Sequence, residues 1–61
     1  MSQADVVKWL QAHPGWHTRR EMARSIGRSP NYFSLALPRL VELGEIESRV
    51  ADGRALEYRL V

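Results

Sequence analysis

The chain has 61 residues, a net charge of +2 and no cysteine. This length allows one domain, residues 1–61, with a small and marginally stable hydrophobic core. Disulfides and thiolate metal sites are excluded, and no apolar run approaches the roughly 20 residues of a membrane span. A secretory signal peptide is not expected, because the start includes Asp5 and lacks a long apolar core. We therefore expect a cytoplasmic protein that does not contact a membrane.

A first helix is predicted from residue 2 or 3 to about residue 12, with Val6, Val7 and Leu10 on one face. Trp9 falls at the edge of that face, at about 100° of rotation per residue. Two roles are open for Trp9. It can pack against a neighbouring strand, or it can contact a second copy in a homodimer, since half-exposed tryptophans favour interfaces.

The segment after this helix predicts a turn rather than a metal site. Pro14 restricts His13 to extended geometry, and Gly15 permits the turn. His13 and His17 are four residues apart, but the turn keeps them off a common helical face, and no acid or cysteine completes a ligand set. Trp16 is expected to pack in the core under the loop. We expect no metal and no cofactor.

The next stretch predicts a second helix that begins after Thr18. Thr18 can accept a hydrogen bond from the backbone N–H of Glu21, while the Glu21 carboxylate reaches back to Thr18, as in a capping box. Apolar residues then recur at helical spacing, and Gly27 stands where a left-handed C-cap ends a helix.

A third helix is predicted over about residues 30–43. Ser29 is suited to its N-cap, and Pro30 to its first position, where the missing N–H is not needed. Pro38 should bend this helix on its solvent side. The predicted core face carries Phe33, Ala36, Leu37, Leu40, Val41 and Leu43, and the opposite face carries Asn31, Leu35, Pro38, Arg39 and Glu42, flanked by Tyr32 and Ser34.

Positive charge is concentrated on these two helices. Residues 19–39, the arginine-rich segment, have a net charge of +4, whereas residues 40–61 have −2. Arginine pairs with phosphate and with guanine edges in a bidentate way that lysine cannot. This charge lies on a short helix, a turn with glycine and a longer helix. The combination indicates a DNA-binding helix-turn-helix.

After Gly44 the residues facing the core recur at every second position instead of at helical spacing. This pattern predicts two strands over residues 46–60, joined as an antiparallel hairpin. One register pairs Ile46 with Leu60 and sets Arg49 opposite Glu57, so that charges attract across the strands. A competing register has better turn chemistry at Gly53 but sets like charges opposite each other. We favour the first register.

The whole pattern resembles the winged helix-turn-helix superfamily, an α+β fold of three helices followed by a β-hairpin wing. The run ALPRLVELGEIE at 36–47 is similar to the junction between recognition helix and wing in bacterial regulators. Asp52-Gly53-Arg54 resembles their wing tip, and His13-Pro14-Gly15 with the following aromatic resembles their first inter-helix loop. The resemblance extends over almost the entire chain.

This resemblance implies sequence-specific binding of double-stranded DNA by a small bacterial, phage or plasmid transcriptional regulator, with the third helix in the major groove. The expected base contacts are Asn31, Tyr32, Leu35 and Arg39. The expected contacts to the DNA backbone are Arg19, Arg20, Arg28 and Ser34, with Arg54 at the wing.

The sequence also bears on two other function classes. Leu35 and Pro38 are apolar where a DNA reader usually has polar groups, so a protein-interaction module that uses Tyr32, Leu35 and Pro38 is the alternative. An enzyme is not expected, because the chain is too short for a pocket and shows no catalytic constellation at a defensible spacing.

Overall fold

The structure is a computed structural model that describes residues 3–61, apart from the side chains of Gln3 and Arg54. Its helices are α1 (Gln3–Ala12), α2 (Arg19–Ile26) and α3 (Ala36–Glu42), and a 3₁₀ helix spans Pro30–Phe33. Its strands are β1 (His17–Thr18), β2 (Ile46–Val50) and β3 (Leu56–Leu60), in the antiparallel order β1-β3-β2. The predicted α+β class is confirmed, and the arrangement is compatible with a winged helix. None of the helices described in residues 3–61 is long and apolar enough to cross a membrane.

The caps of α2 are those that the sequence predicts. Thr18 Oγ1 accepts from the Glu21 N–H at 3.0 Å, and Glu21 Oε1 accepts from the Thr18 N–H at 3.0 Å. Gly27 ends the helix in the left-handed region, with φ at 71°. The next N–H, of Arg28, then donates to the carbonyl of Ala23 at 2.8 Å. The direction in which the chain leaves α2 is thus set by local hydrogen bonds.

The prediction of one continuous third helix over 30–43 is wrong. Ser29 caps the 3₁₀ helix, through a bond from the Asn31 N–H to its Oγ of 3.3 Å, and a turn at 34–35 then separates this helix from α3. Pro38 explains the break, because it cannot donate to the Ser34 carbonyl and its ring clashes there. In the structure Pro38 lies in the first turn of α3, where its N–H is not needed, and does not bend the middle of a longer helix.

The hydrophobic core lies between the helices and the base of the sheet. Phe33 and Leu40 are buried as predicted, with 2% and 1% of their surface exposed. Leu43 was expected on the core face, but it is exposed because α3 ends at Glu42 and Leu43 is already its C-cap. The other buried residues are Val6, Leu10, Met22, Ala23, Ala36, Leu37, Ile46 and Tyr58.

The hairpin has the register that the charge pairs favour. Ile46 pairs with Leu60, and Arg49 with Glu57. Only the base of the hairpin meets the core, however, since Val50 is 69% exposed and Leu56 is 46% exposed. Val50 and Leu56 therefore lie outside the core, because the strands extend beyond the helices that would cover them.

The two-residue strand β1 was not predicted. It pairs His17 with Tyr58 and Thr18 with Glu57, on the side of β3 away from β2. Trp16, which precedes it, was expected in the core, but it is half-buried against two arginines of the sheet. The guanidinium carbon of Arg49 lies 4.3 Å from its ring centroid, and that of Arg59 lies 4.5 Å away.

Trp9 packs against α2 and against the short strand β1, as one of its two expected roles predicts. Its Nε1 donates to Ser25 Oγ at 3.0 Å, and its ring stacks on His13 with centroids 4.0 Å apart. His17 meets the same ring edge-on, so the turn brings the two imidazoles to 6.2 Å although they share no helix. Within residues 3–61 no group of three or more His, Cys, Asp or Glu residues is placed to hold a metal ion.

Candidate nucleic-acid interface

The arginines whose side chains the structure describes fall into two structural groups. In the hairpin, Arg49 Nε donates to Glu57 Oε1 at 2.8 Å, and Arg59 is ion-paired with Glu47. Among the described residues no carboxylate lies within ion-pairing distance of the five arginines in the arginine-rich segment, and all five are exposed. These five are Arg19, Arg20, Arg24, Arg28 and Arg39. Arg49 and Arg59 are thus neutralised by their carboxylate partners, whereas the arginines of the arginine-rich segment remain open to an anionic partner.

Arg19 and Arg20 are the first two residues of α2. The following residue, Glu21, is the acid nearest to them in sequence, but it is directed into the helix cap. The bond from the Thr18 backbone N–H, together with the neighbouring His17, lowers the pKa of the Glu21 carboxyl. His17 Nδ1 lies 3.4 Å from that carboxylate. The carboxylate is thus occupied by the cap and the histidine, and the two arginines stay unpaired at a helix N-terminus, which itself favours anions.

Arg28 lies in the turn between α2 and the 3₁₀ helix, over the ring of Tyr32. Its guanidinium carbon is 4.9 Å from the Tyr32 centroid, and the Tyr32 ring meets Phe33 edge-on at 5.3 Å. This stack links an exposed charge to a buried core residue. It fixes the position of Arg28 and leaves Tyr32 half-buried, so that only part of the Tyr32 ring can reach a ligand.

The expected base-reading residues lie on two segments and not along one helix. Asn31 is on the 3₁₀ helix, Leu35 is in the turn and Arg39 is on α3, and all three are exposed. Ser34, an expected contact to the DNA backbone, precedes Leu35 in the turn and is also exposed. Ser34 Oγ donates to the Asn31 carbonyl at 2.6 Å, which holds the turn together. Because Ser29 provides the cap, capping does not account for the presence of Asn31. The side-chain amide of Asn31 forms no hydrogen bond within residues 3–61.

Leu35 projects from this turn as the most exposed large apolar side chain in the described part of the chain, at 88%. In the sequence, this apolar side chain stands between two exposed polar residues, Asn31 and Arg39. Its exposure agrees with its predicted place on the face opposite the core.

A cleft of about 590 Å³ separates the start of α2 from the hairpin. Arg19 and Arg20 line one wall and Leu56 lines the other, with Pro30 of the 3₁₀ helix between them. The further lining residues are Thr18, Gly53, Ala55 and Tyr58. The cleft was not predicted from the sequence, because it forms where β1 and the start of α2 meet the hairpin, and β1 is too short to show a period.

Arg54 belongs to the turn Asp52–Arg54 at the tip of the hairpin. Its side chain lies outside the described part of the structure, so its contacts are not described. Comparison of the chain with protein-family models, with curated proteins and with solved structures gave no match.

Proposed function

We propose that the chain binds double-stranded DNA in a sequence-specific way and acts as a transcriptional regulator of the bacterial, phage or plasmid type. The observation that carries this proposal is the separation of charge. Five exposed arginines without acidic partners among the described residues lie on the arginine-rich segment, while Arg49 and Arg59 of the hairpin are ion-paired. A surface of this kind attracts the phosphate backbone of DNA.

The geometry supports a specific placement of the duplex. Arg19, Arg20 and Arg28 lie where the chain enters α2 and the 3₁₀ helix, and we assign them, with the hydroxyl of Ser34, to the phosphates. The 3₁₀ helix and α3 enter the major groove, with the hairpin over residues 46–60 as the wing. One DNA strand then passes through the cleft between α2 and the hairpin, where phosphates meet arginine and sugars meet the exposed side chain of Leu56.

Base reading is assigned to the exposed residues of the turn region. The Asn31 amide can donate to N7 and accept from N6 of adenine, and Arg39 can reach a guanine edge or a phosphate. Leu35 between them suits the methyl group of thymine. Tyr32 contributes the accessible part of its ring, and Arg54 contributes its charge at the wing tip.

The experiment is a titration of isotope-labelled protein with random duplex DNA, single-stranded DNA and RNA at two salt concentrations, read by amide chemical shifts. Duplex DNA should shift residues 19–39 and the loop 51–55 most, and higher salt should reduce the shifts. Shifts confined to α1, or tighter binding to single strands than to duplex, would refute the proposal.

The exposure of Leu35 also supports a second candidate, a protein-interaction module centred on Leu35, Pro38 and Tyr32. Leu35→Ala separates the two. For the regulator, the parent should bind a selected site more tightly with thymine than with uracil, and Leu35→Ala should lose this preference. For the module, Leu35→Ala should abolish binding of a protein partner and leave DNA affinity unchanged.

A further inference from the structure

Strand β2 forms one edge of the sheet, and the direction of its outer backbone groups can be deduced. The carbonyl of Glu45 accepts from the Val61 N–H at 3.3 Å, and the Ala51 N–H donates to the Ala55 carbonyl at 2.7 Å. Both bonds point towards β3. Because neighbouring residues of an antiparallel strand point to opposite sides, the N–H and C=O of Ile46, Ser48 and Val50 point away from β3. In the described sheet no further strand pairs with that edge.

The side chains along this edge are complementary to the same side chains in reverse order. The strand is Ile-Glu-Ser-Arg-Val, with an apolar residue at each end, opposite charges inside them and serine in the centre. We propose that a second copy of this chain pairs with β2 in antiparallel fashion, about a two-fold axis at Ser48, and that the two sheets join into one. This inference concerns the free protein and does not depend on DNA binding.

Backbone geometry fits this register. Ser48 faces Ser48 of the second copy, and each donates its outward N–H to the carbonyl of the other. Ile46 and Val50 of the second copy form further hydrogen-bonded pairs at both ends, since their groups also point outwards. Residues in register share one face of the sheet. The exposed side chain of Val50 therefore lies beside Ile46 of the second copy, on the face that each sheet turns towards its core.

Charge selects this register over its neighbours. With the axis at Ser48, Glu47 stands opposite Arg49 of the second copy, and the reverse pair forms on the other side. Glu47 already pairs with Arg59 in its own hairpin, and Arg49 with Glu57. The charged side chains that lie side by side across the four strands of the two hairpins therefore alternate in sign. An axis at Glu47 or at Arg49 would place like charges opposite each other. Charged side chains on a free edge oppose pairing with most other strands. Here the same charges favour pairing with the identical edge of a second copy.

Trp16 orders the arginine side chains that take part in these charge pairs. Arg49 and Arg59 both lie over its ring, at 4.3 and 4.5 Å, so their side chains are ordered on the outer face before a second copy arrives. Arg49 uses Nε towards Glu57, which leaves its terminal nitrogens for a second carboxylate. The entropy lost on pairing is therefore smaller than for mobile side chains.

The test is sedimentation equilibrium without DNA, over concentrations up to about 1 mM. The parent should show a monomer–dimer equilibrium. Ser48→Pro removes an outward N–H that makes no bond to β3, so the monomer should fold, and dimerisation should weaken about tenfold or more because two central hydrogen bonds are lost. Arg49→Glu should weaken dimerisation similarly, because it sets a second carboxylate opposite Glu47 of the second copy. The control is Lys8→Glu on exposed α1, which should leave dimerisation unchanged.

Amide hydrogen exchange of the parent protein gives a second readout that needs no variant. The amides of residues 46, 48 and 50 should become protected as concentration rises, while those of 47 and 49 should not change. A parent that stays monomeric up to about 1 mM overturns the proposal. So does a dimer that Ser48→Pro leaves intact, or one that Lys8→Glu disrupts, because the interface then lies elsewhere.

Discussion

Substitution of Arg20 by alanine should flatten the salt dependence of DNA binding, whereas substitution of Arg59 should not. Both changes remove one positive charge from the chain. Arg20 has no acidic partner among the described residues and lines the cleft, while Arg59 is ion-paired with Glu47 and lies over Trp16. The two variants therefore separate a phosphate contact from a general effect of net charge.

The magnitude follows from the number of phosphate contacts. Three contacts, by Arg19, Arg20 and Arg28, correspond to a slope of about −2.7 in log K against log salt. Raising the salt from about 50 to about 200 mM should then weaken the parent about 40-fold. Arg20→Ala, with a slope of about −1.8, should weaken only about 12-fold over the same range.

Fluorescence anisotropy with a labelled random duplex, repeated at four salt concentrations, measures both slopes. Circular dichroism melting establishes that each variant is folded. Equal slopes for Arg20→Ala and the parent would refute the placement of a phosphate at the start of α2. A flattened slope for Arg59→Ala would refute the division of the arginines into paired and open groups.

Three further outcomes are expected. Phe33→Ala should destabilise the protein by about 3–5 kcal/mol, most of the stability of a domain this small, and a melting temperature within a few degrees of the parent would show that Phe33 is not at the core. When binding sites are selected from a random pool, Asn31→Ala should relax the base preference at one A·T position, with a loss of about 1–3 kcal/mol in binding free energy. An unchanged preference with a lower melting temperature would show that Asn31 has a structural role. The lowered pKa of Glu21 contributes stability that is present above the ordinary pKa of glutamate, about 4.3, and is lost as the pH falls through the folded value. The melting temperature of Glu21→Gln should therefore approach that of the parent as the solution is acidified, and a constant difference would contradict this cause.

Features that depend on near neighbours could be predicted from the order of the residues. Thr18, Glu21 and Gly27 set the ends of α2, because each satisfies backbone groups only a few residues away. The hairpin register was also predictable, since setting Arg49 opposite Glu57 distinguishes it from the competing register. The five arginines that we assign to DNA contacts could be named in the same way, because their charge stands out along the chain.

Features that depend on distant segments could be seen only in the folded chain. Two residues of β1 cannot show a period, so the third strand and the cleft beside it had no signal in the sequence. Trp16 was expected in the core because it is large and apolar, but the paired arginines of the sheet provide a cover for its ring that only the fold brings together. The effect of Pro38 also depended on context. Local chemistry predicts a disturbed helix, while packing of Leu37 and Leu40 into the core selects a new helix that starts at Ala36.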